Sequence, residues 1–210
     1  APAFRIGSSA TTGSLSGFQV QRLDGSTAQI RAYLGTEARV VIPEQIDGRT
    51  IVAIAPGAFE GREDITGVTL PRTVRVIGER AFAGCTALTE VVRKGKIETI
   101  EAHAFEGCTA LERIDLGRIE TIGDYAFAGC DQLRSAAVSL APRTIRAIGS
   151  HAFDGCARLT RLEVGDLLRE IGEDAFAGCD ALVVDICPDN FAVIRYCQAH
   201  GIRINRSAAR

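Results

Sequence analysis

Seven cysteines and three histidines are the residues of this 210-residue chain that could act as nucleophiles, metal ligands or disulfide partners. Five cysteines each follow the Phe of an Ala-Phe pair by three residues, as in "AFAGC" at residues 81–85. Equivalent side chains on stacked units run parallel at roughly 4.8 Å, whereas a disulfide needs Cβ atoms about 3.8 Å apart that face each other. Tetrahedral zinc ligands must converge on a point, which a linear row does not do. We therefore expect a row of small, buried, unpaired thiols at Cys85, Cys108, Cys130, Cys156 and Cys179.

The other two cysteines lie outside this row. Cys187 and Cys197 flank the beginning and the end of a predicted C-terminal helix. The sequence leaves two alternatives open for them, a disulfide or two more buried thiols.

Two of the histidines share one position of a repeating pattern. His103 and His151 each precede a Phe by two residues, and Tyr125 occupies the same position between them. Two units apart, the histidines are separated by about 10 Å, which is too far for one metal ion or a direct acid–base pair. We predict that they are exposed turn residues.

Motifs of known catalytic or cofactor sites do not occur in the sequence. There is no Gly-rich phosphate loop, Cys-x-x-Cys pair, His-Glu-x-x-His helix or Gly-x-Ser-x-Gly elbow. The repeat explains the positions of most carboxylates, so no pair stands out for general acid–base work. We expect no catalytic residues, no cofactor and no metal, and hence a protein that is not an enzyme.

An internal repeat positions all of these residues. Its Ala-Phe pairs follow one another at spacings of 23, 23, 22, 26 and 23 residues. Each Phe is preceded by an Ile five residues earlier and followed by a Gly two residues later and by a Leu or Ile six residues later. The six Phe are Phe59, Phe82, Phe105, Phe127, Phe153 and Phe176.

Repeats of this length predict a solenoid, because each unit has too little apolar surface to fold alone and covers its neighbour instead. The stretch after each Phe, as in "LERIDL" at residues 111–116, alternates like a short half-buried strand. Stacked in register, such strands form a parallel sheet on the order of 24 Å long over six units. The Phe column then becomes a stack of rings, and the Gly after each Phe marks a turn with positive φ or a close backbone approach. The longer fourth unit predicts a bulge within residues 134–142.

The pattern Leu-x-x-Ile-x-Leu followed by Ile-x-x-Ile-Gly-x-x-Ala-Phe-x-Gly-Cys resembles the Treponema-type or BspA-like class of bacterial leucine-rich repeats. It covers about residues 51–187. The departures are Arg62 in the Cys column, and Ala55 and Glu101 in the Gly column. The resemblance implies a leucine-rich-repeat horseshoe and a secreted or cell-surface bacterial protein, whose relatives are linked to surface attachment and binding of host proteins.

Both ends of the array need caps, since a terminal unit would otherwise expose its core. "DG" at residues 24–25 and at residues 47–48 predicts two hairpins. Near the other end, Asp189 or Asn190 is the predicted N-cap of a helix that ends at Gly201 and has the apolar Phe191, Ile194 and Cys197 on one face. We expect a flexible lead-in (1–17), an N-terminal β cap (18–55), six repeats (51–187) and a C-terminal helix–strand cap with a tail (188–210).

Solenoids present a regular concave sheet whose outward positions vary freely, so binding is the function that the sequence favours. We expect a protein ligand, such as a host or extracellular-matrix protein, and a monomeric binding module. A structural spacer is the alternative, and an enzyme with a site in the concave face is a further one. The outward candidates for ligand contact are Glu90, Glu112, Arg113, Arg134, Arg161 and Glu163.

Composition limits the remaining partners. The net charge is −2 and no basic block occurs, which argues against nucleic acid. No apolar run is long enough to span a membrane. The sequence starts with Ala-Pro and contains no Met, so we expect that its natural start, which could have included a secretory leader, is missing.

Overall fold

The computed structural model describes residues 17–134 and 144–206, which form short strands joined by turns and a single helix near the C-terminal end. The strands are β1 (Phe18–Arg22), β2 (Thr27–Tyr33), β3 (Arg39–Val41), β4 (Gln45–Ile46), β5 (Arg49–Ile54), β6 (Gly67–Leu70), β7 (Val76–Ile77), β8 (Glu90–Arg93), β9 (Thr99–Ile100), β10 (Arg113–Ile114), β11 (Thr121–Ile122), β12 (Ala147–Ile148), β13 (Arg161–Val164), β14 (Glu170–Ile171), β15 (Val183–Ile186) and β16 (Arg203–Asn205). The helix is α1 (Phe191–Ala199).

The strands that follow each Phe stack in parallel, as the sequence predicts. β10, β8, β6 and β3 form one sheet, and β13, β15 and β16 form another. The corresponding stretch of the fourth unit, and nearly all of the segment with the predicted bulge, lie outside the described residues. The prediction of a repeat solenoid with short parallel strands is therefore confirmed for the units that the structure describes.

A second ladder, which the sequence analysis did not assign as strand, runs the length of the array. The residue pairs that end in the Ile column form β7, β9, β11, β12 and β14, and each pairs in parallel with the next. Ile122 pairs with Ile148, so this ladder continues past the longer fourth unit without a shift in register. The strands are only two residues long, which is too short for an alternating pattern to reveal them.

The Phe column is the centre of the core. Its six rings are stacked with 4.8–5.5 Å between neighbouring centroids. The Gly two residues after each Phe has φ between +68° and +73°, a left-handed conformation that strains any residue with a Cβ atom. Both features match the prediction. The Ile and Leu columns pack around the rings, and each unit completes the core of its neighbour.

The N-terminal cap contains a partial unit that the sequence analysis missed. The β1–β2 and β4–β5 hairpins form as predicted, but Tyr33 at the end of β2 stacks on Phe59 at 5.8 Å and extends the ring column. Its N–H donates to the Ala58 carbonyl, as each Phe N–H donates to the next unit's Ala. The signal was the pair Ala32-Tyr33, in which an aromatic ring again follows Ala.

Arg62, which stands where the other units have cysteine, binds the backbone of this partial unit. Its guanidinium donates to the carbonyl of Tyr33 and, at 2.7 Å, to that of Gly35. It also binds the Asp64 carboxylate at 2.7 Å and lies 5.1 Å from the centre of the Tyr33 ring. The bond from Arg62 lowers the pKa of Asp64 to about 2. Arg62 thus donates to the carbonyl of Tyr33, as each thiol of the row donates to a Phe carbonyl, and it binds Gly35 and Asp64 in addition.

The C-terminal cap is the predicted helix followed by a strand. Asn190, not Asp189, is the N-cap, and its Oδ1 accepts a bond from the Val193 N–H. The helix buries Val193, Ile194 and Cys197, whereas Phe191, which the sequence placed on the same apolar face as Ile194 and Cys197, is 68% exposed. Phe191 is the first residue of the helix, and Val193, two residues later, is the first helical residue that is buried.

Candidate binding face

The five cysteines of the row are buried and free, as the sequence predicts, and each also makes a specific contact. The thiol of Cys85 donates to the Phe59 carbonyl of the preceding unit at 3.0 Å. The other four thiols make the same contact, at 3.1–3.3 Å. Burial raises the pKa of Cys85 and Cys179 to about 12 and that of the other three further still. These thiols therefore join neighbouring units and are not nucleophiles.

Cys187 and Cys197 are also free. Of the two alternatives that the sequence left open, the structure shows no disulfide, but only Cys197 is buried, and Cys187 is partly exposed. Burial raises the pKa of Cys197 to about 11. Cys187 is thus the most accessible thiol of the chain.

We predict that one of the seven thiols reacts quickly with Ellman's reagent in the native protein, because Cys187 is the one cysteine that is not buried. All seven should react in guanidinium chloride. The Cys187→Ser variant should show no fast reaction, and two or more fast thiols in the wild type would contradict the buried row.

The two histidines of the repeat pattern lie in turns, as predicted, but they belong to a stacked ladder that leaves them partly rather than fully exposed. The Tyr125 ring lies 5.0 Å from His103 and 4.7 Å from His151, with nearly parallel planes, so the His side chains are only about one third exposed. Nδ1 of His103 is 3.0 Å from Glu106 Oε2, and Nδ1 of His151 is 3.1 Å from Asp154 Oδ2.

The backbone of this column is left-handed in every unit. Arg80, His103, Tyr125, His151 and Asp174 all have φ between +50° and +58°. The first unit has Gly57 at this position, with φ of +65°, which was the signal in the sequence for such a turn. The side chains project in one direction as a consequence, and the rings stack.

The outward side of the sheet of β3, β6, β8 and β10 forms the candidate site, which we call the outer face. It consists of two rows of residues paired in register: Arg39, Gly67, Glu90 and Arg113 in the first, and Val41, Thr69 and Val92 in the second. Alternate residues of the same strands, such as Val40, Val68 and Val91, point into the core. The structure therefore brings Glu90 and Arg113 together with two exposed apolar side chains, Val41 and Val92.

The charges of the outer face are connected across the strands. Arg39 crosses above Gly67, whose missing side chain leaves room, and donates to Glu90 at 2.8 Å. Arg113 lies on the other side of Glu90 at 4.0 Å. The Arg39 and Arg113 side chains are 69% and 72% exposed, so both guanidinium groups remain available to a partner.

The other predicted contact residues are split between two sheets. Glu112 and Arg134 are exposed beside the outer face, and the Arg134 N–H donates to the Glu112 carbonyl at 3.3 Å. Arg161 and Glu163 lie instead on β13, in the separate sheet with β15 and β16. There Arg161 forms an ion pair with Asp185, a carboxylate that is only 5% exposed. Arg161 therefore neutralises a buried charge.

Neither a metal site nor a membrane-spanning helix occurs in the described ranges 17–134 and 144–206. They contain no group of three or more His, Cys, Asp or Glu side chains arranged to hold a metal ion. Within these ranges, no helix has the length and apolar character needed to cross a membrane.

Comparison with solved structures identifies the architecture. The leucine rich repeat protein of Treponema pallidum is 28% identical to this chain, with a TM-score of 0.65 over 95% of this chain and 100% of that one. A leucine rich cell surface protein from Faecalibacterium prausnitzii is 24% identical, with a TM-score of 0.70 over 85% of this chain. The chain spans 55% of the length of the F. prausnitzii protein. No curated protein sequence matches the chain.

The sequence also matches a family model. Six copies of the model described as a BspA type leucine rich repeat region match residues 52–183, which is more than half of the chain. These are the six units whose Phe and Gly columns are stacked in the structure, five of which also contribute to the Cys column. The chain therefore belongs to the BspA-type leucine-rich-repeat family.

Proposed function

We propose that this protein is a monomeric, non-catalytic binding module that attaches to a protein ligand through its outer face. The observation that carries the proposal is the pairing of Val41, Thr69 and Val92 across three strands. Val41 is 62% exposed and Val92 45% exposed, so both apolar side chains occupy outward positions of their strands. Exposed apolar residues at the centre and charges at the edge are typical of protein interfaces.

The charged row supports a protein partner rather than nucleic acid. Arg39 and Arg113 stand on either side of Glu90, so the row carries both signs within a short distance. A polyanion would need a continuous basic surface, whereas an alternating row complements a protein surface that also carries both signs. Glu112 and Arg134 extend this mixed pattern beyond the paired strands, and we include them in the proposed contact surface.

We further propose that the protein acts outside the cell or on its surface, as an adhesion module. The F. prausnitzii protein is described as a cell surface protein, and bacterial leucine-rich repeats of this family suit binding to other proteins. Host or extracellular-matrix proteins are the partners that fit this location. Arg161 and Glu163 would form a second, smaller contact on the sheet of β13, β15 and β16.

Binding to immobilised, purified extracellular-matrix proteins tests the proposal. We expect the wild type to bind at least one of them, and Val92→Glu and Arg113→Glu each to weaken that binding about tenfold or more, because they put a charge at the apolar centre or reverse one at the edge. Arg161 is a poor choice for charge reversal, since its loss would leave Asp185 buried without its ion-pair partner.

The matched control is Arg195→Glu, the same charge reversal at an exposed position of α1. It should bind as the wild type does. Equal binding by the wild type and by both outer-face variants would remove the outer face as the site, and binding to none of the matrix proteins would contradict the adhesion proposal.

A further inference from the structure

The outer face ends at a strand with one free edge. β6 lies between β3 and β8, and β8 lies between β6 and β10, but no described strand pairs with β3 on the side away from β6. Residues 36–38, which lead into β3, are exposed, as are two of the three residues of β3 itself. An accessible sheet edge of this kind can receive a strand from another chain.

The backbone of β3 has hydrogen-bonding groups on this free side. The Ala38 carbonyl accepts a hydrogen bond from β6 at 3.2 Å, and the Ile42 N–H donates one to β6 at 3.0 Å. In a parallel ladder alternate residues face the same neighbouring strand, so Ala38, Val40 and Ile42 face β6. The N–H and C=O groups of Arg39 and Val41 therefore point away from β6, where no described residue bonds to them.

The charged row of the outer face indicates which residue an added strand would place beside Arg39. Glu90 lies between Arg39 and Arg113, whereas Arg39 has a carboxylate on one side only among the described residues. A residue added to this row would lie about 4.8 Å from Arg39 along the sheet. An acidic residue there would place the exposed Arg39 guanidinium between two carboxylates, and such cross-strand pairs of opposite charge stabilise a sheet.

The second row indicates which residue would lie beside Val41. This row consists of the β-branched residues Val41, Thr69 and Val92, and Val41 at its end is 62% exposed. A β-branched residue of an added strand would cover Val41 as its neighbours in the row cover one another. The added strand should therefore carry an acidic residue and, two positions later, a β-branched one, which is the pattern of Glu90 and Val92 in β8.

We propose that the protein ligand adds an extended segment to the free edge of β3, parallel to the strands of the outer face, with an acidic residue beside Arg39 and a β-branched residue beside Val41. The proposal rests on the proposed function, because the added segment extends the outer face by one strand and belongs to the same contact. Backbone hydrogen bonds hold the segment, and the two side chains select it.

Hydrogen exchange of the ¹⁵N-labelled protein tests whether the edge is free. We expect the amides of Arg39 and Val41 to exchange about tenfold or more faster than those of Val40 and Ile42, which are bonded to β6. Slow exchange at Arg39 and Val41 at every protein concentration would mean that another part of the chain covers the edge. Slow exchange only at high concentration would mean that a second copy covers it. Either result would overturn the proposal.

An NMR titration with a capped peptide that copies residues 88–94, the segment of β8, tests the added strand. We expect saturable shifts and slower exchange at the amides of Arg39 and Val41. In the proposed register the N–H of the peptide residue that copies Val91 faces β3, and the N–H of the residue that copies Val92 points away. An N-methyl group on the first should weaken binding about tenfold or more, and on the second by less than about twofold. No saturable shift, or equal effects of the two N-methyl groups, would refute the added strand.

The variant Val41→Pro removes one of the free donors from the protein itself. The Val41 N–H points away from β6, and edge strands tolerate Pro at such positions, so the fold should be retained. Unchanged slow exchange at Val40 and Ile42 would show that it is. We expect the peptide to bind about tenfold or more weakly to this variant. Wild-type affinity would contradict the proposal.

The variant Val92→Glu separates the free edge from the rest of the outer face. Val92 lies on β8, away from the edge, so this change should leave peptide binding unchanged and weaken binding to the matrix protein. Val41→Pro should weaken both. If Val41→Pro weakened peptide binding alone, the ligand would not use the edge, and the added strand would be refuted while the outer face remained. If Val92→Glu left matrix-protein binding unchanged, the outer face would fail, and the exchange and peptide results would still decide the free edge.

Discussion

Replacing Phe105 with Ala is expected to lower the free energy of unfolding by about 3–5 kcal/mol. The Phe105 ring is fully buried and stacked between Phe82, at 5.1 Å, and Phe127, at 5.2 Å. Its removal leaves a cavity that neither neighbour can fill, because both rings are held by their own units. Urea denaturation followed by circular dichroism measures the effect, with the slope of the transition compared between the proteins.

Phe191→Ala is the matched control for this measurement. The same side chain is removed, but Phe191 is 68% exposed, so the free energy of unfolding should change by about 0.5 kcal/mol or less. A loss below about 1 kcal/mol for Phe105→Ala would mean that the ring column is not the main source of stability. Similar losses for both variants would contradict the structural difference between the column and the cap.

Asn190→Asp is expected to lower the free energy of unfolding about as much as Phe105→Ala does, although it only replaces an amide with a carboxyl group. The Asn190 amide nitrogen donates to the carbonyls of Gly165, at 2.8 Å, and Leu168, at 3.2 Å, in a site that is 2% exposed. Aspartate keeps the acceptor for the helix N-terminus but turns a buried negative oxygen toward two carbonyls. We expect a loss of about 3–5 kcal/mol at pH 7, measured by urea denaturation.

The pH dependence of this loss identifies its cause. The buried carboxylate should have a pKa above its value in the unfolded chain, so the penalty should be largest at neutral pH and shrink as the pH falls toward about 4, where the neutral acid can donate a bond again. Asp189→Asn, the reverse exchange at the exposed neighbour, should be nearly neutral. A loss that is the same at pH 4 and pH 7 would exclude the buried charge as its cause.

The repeated columns could be predicted from the sequence because each is fixed by the same packing in every unit. Phe105 and Cys108, for example, were assigned to the core from spacing alone, and both are fully buried. The caps were harder to predict, because each cap sequence occurs once and no repeated column shows which of its residues are buried. Phe191 was assigned to the apolar face of the cap helix by its helical spacing, and nothing in the sequence shows that the helix turns it toward solvent.

Features that depend on contacts between units were not predictable to the same degree. The sequence showed that Arg62 departs from the Cys column, but the carbonyls that require it belong to Tyr33 and Gly35, nearly thirty residues away. His103, Tyr125 and His151 were assigned to one column of the repeat, but the stacking of their rings was not predicted, because it depends on how the units are aligned in space. The ion pair of the outer face also depends on contacts between units, since Arg39 crosses Gly67 to reach Glu90.

The hydrogen bonds that join successive units are the same at each described junction, and this affects how the gene for such a protein can evolve. In each of the first five units, three backbone N–H groups of the turn that contains the Phe donate to carbonyls of the next unit, as His151, Phe153 and Gly155 do in the fifth. A duplicated segment of about 23 residues would therefore form the same hydrogen bonds with its two neighbours. Recombination between misaligned copies can then lengthen or shorten the protein in whole steps, without any compensating point mutation. Array length becomes a heritable variable that selection can adjust separately from the chemistry of each unit.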